Sequence, residues 1–183
     1  MSGPFKGVRI LELTSTVSGP FAGMMLADQG AEVIKIEPPG IGDLARFMGT
    51  IKDGMGAMFS TLNRNKKCIC LDFKNEEDLS VLMQLVSTAD LLIENYRPVI
   101  VKKLGIDYET LKKIKPDLIY CSISGYGQTG PYTEKKVYDP LIQGTVGIPH
   151  AQNSEFPELI RTIIYDKVTG LTSAQAISAA LYQ

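Results

Sequence analysis

The side chain best suited to covalent chemistry in this chain is Asp166. It follows an apolar stretch, Ile163-Ile164-Tyr165, and precedes the small-residue run Leu171 to Tyr182, which reads as a helix. A carboxylate in that place can act as a helix N-cap, accepting from the first free amides. It can also project into a cleft at a strand end, where α/β sheets bind ligands. The two roles are compatible, because amide donors keep a carboxylate ionised and able to attack.

The other motifs reduce to structure. Gly125-Tyr126-Gly127-Gln128-Thr129-Gly130 has GxGxxG spacing, but a dinucleotide loop needs a helix to open inside the glycines. Pro131 and the polar run Tyr132 to Lys136 follow instead, so the segment reads as a glycine-rich turn. Cys68-Ile69-Cys70 sets two thiols on one face of a strand. Without further Cys or His nearby, they read as small core residues, not metal ligands. His150, the one histidine, lies in the expected loop Ile148-Pro149-His150 and reads as structural. The lysine pairs at 66–67, 102–103, 112–113 and 135–136 are mostly solvated faces, a minority of which can meet phosphates as point charges.

Short apolar strands alternate with helical patterns and would position these residues. Val8 to Leu13, Ala31 to Glu37, Cys68 to Phe73, Leu91 to Tyr96 and Leu118 to Ser124 read as strands. Ser18-Gly19-Pro20 offers a cap and an early proline for a helix that Gly30 stops. Asn75 caps another, with Glu76, Glu77 and Asp78 on its positive end and Leu79, Leu82, Met83 and Val86 in one stripe. A helix over Tyr108 to Lys115 ends at Pro116, and Pro38 to Gly56, with five glycines and two prolines, reads as a long loop. Strand-helix-strand repetition predicts a Rossmann-like α/β fold, a mostly parallel open sheet flanked by helices. The uncapped end of the last helix at Gln183 suggests a piece of a longer protein.

Composition narrows the function. The net charge of −1 gives no case for nucleic-acid binding by bulk charge. No apolar run approaches the ~18 residues of a membrane span, and the start lacks the apolar core of a signal peptide. Three cysteines argue against a disulfide framework or four-ligand zinc site and for a reducing, cytoplasmic setting.

Several blocks in order resemble the family III CoA-transferases, relatives of formyl-CoA:oxalate CoA-transferase, carnitine CoA-transferase and 2-methylacyl-CoA racemase. They are Pro4 to Thr14 with Ser18-Gly19-Pro20, Gly30 to Gly40 with Gly42-Asp43 and Arg46, and Asn63 to Lys67. Ile93 to Pro98 with Leu104-Gly105, Ser124 to Pro131, and Tyr138-Asp139 complete the series. The resemblance implies that residues 1–183 form the N-terminal part of a CoA-binding large domain, the small domain and C-terminal return lying outside this chain. It implies coenzyme A, as acyl-CoA, for substrate, a carboxylic acid for acceptor, no metal, and an interlocked homodimer.

Carried over by motif, Asp166 takes the place of the family's catalytic aspartate. It would attack an acyl-CoA thioester, form a mixed anhydride, and then carry CoA as an aspartyl thioester until the acceptor acid takes it. Tyr138 falls where transferases often carry tyrosine and racemases a histidine. Asn95, Lys103 and Lys136 fall at positions that meet CoA, as do Arg46 and Arg97. Val17 and Met58 stand where some relatives have an acyl-pocket glutamine and tyrosine, and Pro38 replaces an arginine; this pocket should not be that of an oxalate enzyme. Two alternatives stay open: a racemase, disfavoured because a phenol is a poor base at neutral pH, and a catalytically incomplete CoA-binding fragment.

Overall fold

Five apolar segments become the parallel strands of one sheet. The computed structural model describes residues 2–183. The strands are β1 (Arg9–Leu13), β2 (Glu32–Glu37), β5 (Lys67–Cys70), β6 (Leu91–Glu94) and β7 (Ile119–Ser122), in the spatial order β5-β2-β1-β6-β7. Side chains alternate across this sheet. Leu11, Leu13, Ile36 and Leu92 enter one core layer, under Leu82 and Val86 of α3 (Glu76–Ser87). Ile10, Val33, Leu91 and Ile93 enter the other, against α1 (Ser18–Asp28) and α8 (Tyr165–Tyr182). With both faces covered, the central strands read as near-continuous apolar runs. The predicted Rossmann-like α/β architecture is the one observed.

Local chemistry explains the elements that matched and those that did not. Asn75 caps α3 as its residue type predicts, accepting from Glu77 N at 2.8 Å and Asp78 N at 3.2 Å. The segment 38–56 is not a featureless loop. It holds the 3₁₀ turn η1 (Leu44–Phe47) and the hairpin strands β3 (Ile51–Lys52) and β4 (Met55–Gly56), followed by α2 (Ala57–Leu62). Gly40, Gly42, Gly49 and Gly54 supply positive φ, the last (78°) in the hairpin turn. The helix expected over Tyr108 to Lys115 is only α5 (Tyr108–Leu111), capped by Asp107. Two short proline-started helices escaped the sequence pattern: α4 (Pro98–Leu104) and α6 (Asp139–Thr145). His150 lies on a third, α7 (Ile148–Gln152), not in a loop. The cysteines Cys68 and Cys70 are exposed on the edge strand, not core residues.

Candidate active site

The strand order reverses at β1, where the carboxyl ends of β1 and β6 part and a crevice opens. The turn Thr14–Val17 leaves β1 there and leads into α1. Asn95, just past β6, spans the gap: its Oδ1 accepts from Ser15 N at 3.0 Å and its Nδ2 donates to Ser15 O at 2.8 Å. Thr16 has φ 70°, a left-handed conformation that costs a β-branched residue about 1–3 kcal/mol. Asp43 holds it there, Oδ1 accepting from Thr16 N at 2.9 Å and from Ala45 N at 2.9 Å. Ser18 does not cap α1; Val17 occupies the cap position without a side-chain bond.

Beneath this turn lies a buried charge network. Glu12 and Lys35 face each other across the β1–β2 register, paired at 3.1 Å with both side chains inaccessible to solvent. Lys35 Nζ also pairs with Asp43 at 2.9 Å and donates to Thr14 O at 2.8 Å. The other oxygen of Glu12 meets Lys66 at 2.7 Å, in space left by Gly23, where a Cβ would overlap the carboxylate. Burial opposes ionisation of Glu12, but Lys66 and Lys35 overcome it and hold its pKa below the ordinary range. Burial likewise opposes charge on Lys35, and Glu12 and Asp43 reverse that and raise its pKa.

The structure moves Asp166 from cap to second residue of its helix. α8 begins at Tyr165, and the cap is supplied from another element. The buried carboxylate of Asp139 accepts from Tyr165 N and from Asp166 N, the latter at 3.1 Å. Gln143 Nε2 donates to its second oxygen at 2.6 Å. Freed from capping, the half-buried Asp166 side chain lines the cleft beside Ser18. Burial pushes its pKa up, the neighbouring Asp139 carboxylate pushes further, and the nearby Ser18 hydroxyl opposes them only in part. Close packing of α8 on α1 makes the meeting possible. A Cβ on Gly170, one turn after Asp166, would sit 2.8 Å from Ser18 O and from Phe21 Cδ1.

The turn after β1, Asn95, Asp139 and the start of α8 line an open cleft of about 460 Å³. Of the residues singled out by sequence, Val17, Asn95, Arg97, Lys136, Tyr138 and Asp166 line it together. Tyr138 is 70% exposed, a phenol at the mouth. Three do not line it: Lys103 is exposed on α4, Met58 is half-buried in α2, and Arg46 serves the scaffold. Arg46 binds Glu37 at 2.7 and 2.8 Å and stacks 3.7 Å above the Phe59 ring. Among the described residues no group of three or more His, Cys, Asp or Glu is placed to hold a metal ion, and no helix is long and apolar enough to cross a membrane.

Sequence reasoning passed over Asp139, Lys35 and Asp43 as working parts. A signal existed for the network: Glu12 and Lys35 interrupt otherwise apolar strands, ILEL and EVIKIE, and buried charges of opposite sign must pair.

Fold and site define an α/β protein with a ligand cleft at a parallel-sheet switch point, one wall carrying a desolvated carboxylate. Residues 5–183 match CoA-transferase family III, and the chain belongs to that family. It is 41% identical to succinyl-CoA:glutarate CoA-transferase of Mus musculus, over 98% of this chain and 42% of that protein. It is 41% identical to acetyl-CoA:oxalate CoA-transferase of Acetobacter aceti, over 98% of this chain and 47% of that one. A CAIB/BAIF family protein from Brucella suis superposes with TM-score 0.93 at 41% identity, over all of this chain and 50% of that one. The chain thus spans about half the length of the curated relatives it matches.

Proposed function

We propose that this chain is the N-terminal part of a CoA-binding large domain that transfers CoA from an acyl-CoA thioester to a carboxylic acid, with Asp166 as nucleophile. The observation that carries the proposal is the setting of Asp166: a carboxylate released from capping and partly desolvated, its backbone amide bound by Asp139, lining the switch-point cleft beside Ser18. Desolvation makes an ionised carboxylate a stronger nucleophile, and its fixed position supplies much of the rate.

Asp166 attacks the thioester carbonyl, and CoA leaves as thiolate with a mixed anhydride formed. The thiolate attacks the aspartyl carbonyl of the anhydride, releasing the donor acid and leaving an aspartyl-CoA thioester. The acceptor carboxylate attacks that thioester, expelling CoA thiolate and forming a second anhydride; the thiolate then attacks the acceptor's carbonyl, giving the new acyl-CoA and freeing the Asp166 carboxylate. One thioester replaces another of similar energy, so the cycle consumes no ATP. Arg97 and Lys136 at the cleft are the cations we assign to CoA phosphates, and Val17 and Tyr138 face the acyl group. Unpaired cysteines support a cytoplasmic setting, and the family resemblance supports an interlocked homodimer.

The relatives' names set the assay: succinyl-CoA with glutarate and acetyl-CoA with oxalate, run on the protein of full family length. Appearance of the acceptor's CoA ester at the rate the donor's is lost supports transfer. Deuterium entering the α-carbon of a 2-methylacyl-CoA without an acceptor acid, and no CoA exchange, supports a racemase and overturns it.

A further inference from the structure

The turn forming one wall of the cleft is clamped residue by residue. Lys35 Nζ donates to Thr14 O, Asn95 grips both backbone groups of Ser15, and Asp43 accepts from Thr16 N. The clamps come from β2, from the end of β6 and from the loop before η1. Two of them are joined, because Lys35 and Asp43 are paired at 2.9 Å with both side chains wholly buried. Asp43 is itself anchored, its N–H donating to Glu37 at 2.8 Å. Without a clamp Thr16 would leave φ 70°, because β-branched side chains avoid left-handed backbone. A buried ion network adds little net stability over well-packed apolar residues, so stability alone does not account for its place under this turn.

We propose that Asp43, anchored by Lys35, is a positioning residue: it holds Thr16 left-handed and so presents Val17 and Ser18 to Asp166 and to the acyl group. The proposal rests on the cleft being where acyl-CoA reacts. Misplacing a catalytic wall by a fraction of an ångström damages the chemical step more than it damages binding. The cations assigned to CoA lie outside the turn, so losing the clamp lowers kcat and largely spares KM for acyl-CoA.

Three variants of the full-length protein, with Leu82→Ala as a control, test this. Asp43→Ala removes the clamp and is expected to lower kcat roughly tenfold or more while KM moves less than about threefold. Asp43→Asn keeps an oxygen for the Thr16 amide, folds if the alanine variant does not, and holds kcat above that of Asp43→Ala. Adding Thr16→Gly to Asp43→Ala recovers part of the lost kcat, because glycine adopts positive φ freely. Leu82→Ala, in the α3 core, lowers the melting temperature without this kinetic pattern. Crystal structures of the Asp43 variants read the turn without substrate: Thr16 leaves the left-handed region in Asp43→Ala and keeps it in Asp43→Asn. Retention of φ near its native value in Asp43→Ala, or a kcat loss no greater than that of Leu82→Ala, overturns the proposal and leaves the role of Asp166 standing. Absence of CoA transfer by the unmodified protein would instead remove the assignment of the cleft.

Discussion

Beneath the β1–α1 turn, Glu12 and Asp43 share two ammonium groups; at the start of α8, Asp139 and Asp166 face each other with no ion pair among the described residues. One lies buried beneath a wall of the cleft and the other lines it, and the fold treats their charge in opposite ways. In the first, burial is offset by Lys35 and Lys66, and the carboxylate of Glu12 is held ionised. In the second, Asp139 is spent on two backbone amides, and Asp166 keeps a raised pKa. Charges that are neutralised in place can hold a strained turn. A carboxylate left under-compensated fits the attack on a thioester that we propose for Asp166.

The largest effect should come from breaking the compensated side. Glu12→Ala leaves Lys35 with one anion and Lys66 with none, and should cost about 3–5 kcal/mol of stability in urea denaturation. Replacing Lys136 with Ala should raise KM for acyl-CoA several-fold with little change in kcat, in steady-state kinetics, because the phosphate contact we propose for it is about equal in ground and transition states.

Asp139 sharpens the contrast from the other side. Asp139→Ala uncaps α8 and should cost ~1 kcal/mol, whereas Asp139→Asn still offers an oxygen to the two amides and should cost less. The asparagine variant also removes the like charge that raises the Asp166 pKa, so the acid limb of its kcat–pH profile should move to lower pH.

The smallest effect is a gain. A carboxyl whose folded pKa lies above its unfolded value contributes its penalty as pH rises through that range, and the penalty is complete once both states are ionised. Asp166→Asn should therefore melt at or slightly above the native temperature at pH 7. The advantage should close as pH falls below the ordinary carboxylate range. Glu94 obeys the same sign: it is fully buried, with one oxygen unpartnered, and burial raises its pKa against the opposing Ser122 hydroxyl and the bond from the Tyr96 amide.

Much of this scaffold was legible in the sequence because burial on both sheet faces leaves strands as apolar runs. The cleft was legible through Asp166, Tyr138, Val17, Asn95, Arg97 and Lys136, which distant segments bring together. What was not legible is partnership. Nothing local to Asp166 says that its helix starts one residue earlier and is capped by Asp139, 27 positions away. Nor does the Gly42-Asp43 motif disclose that its carboxylate reaches Thr16. Arg46 shows the reverse case, a cation whose bonds to Glu37 and stacking on Phe59 hold it outside the cleft. Asn95 shows a third, an amide already committed to Ser15.

The central claim, that Asp166 is the nucleophile, is tested most directly by incubating full-length protein with acyl-CoA and digesting it with trypsin. Cleavage after Arg161 and Lys167 releases residues 162–167, the peptide that contains Asp166. Mass spectrometry should find CoA attached to that peptide in the native protein. It should find none in Asp166→Asn, checked to be free of deamidation, which should fold normally and transfer no CoA. An adduct on another peptide, or native-like turnover by the Asp166→Asn protein, would contradict the account.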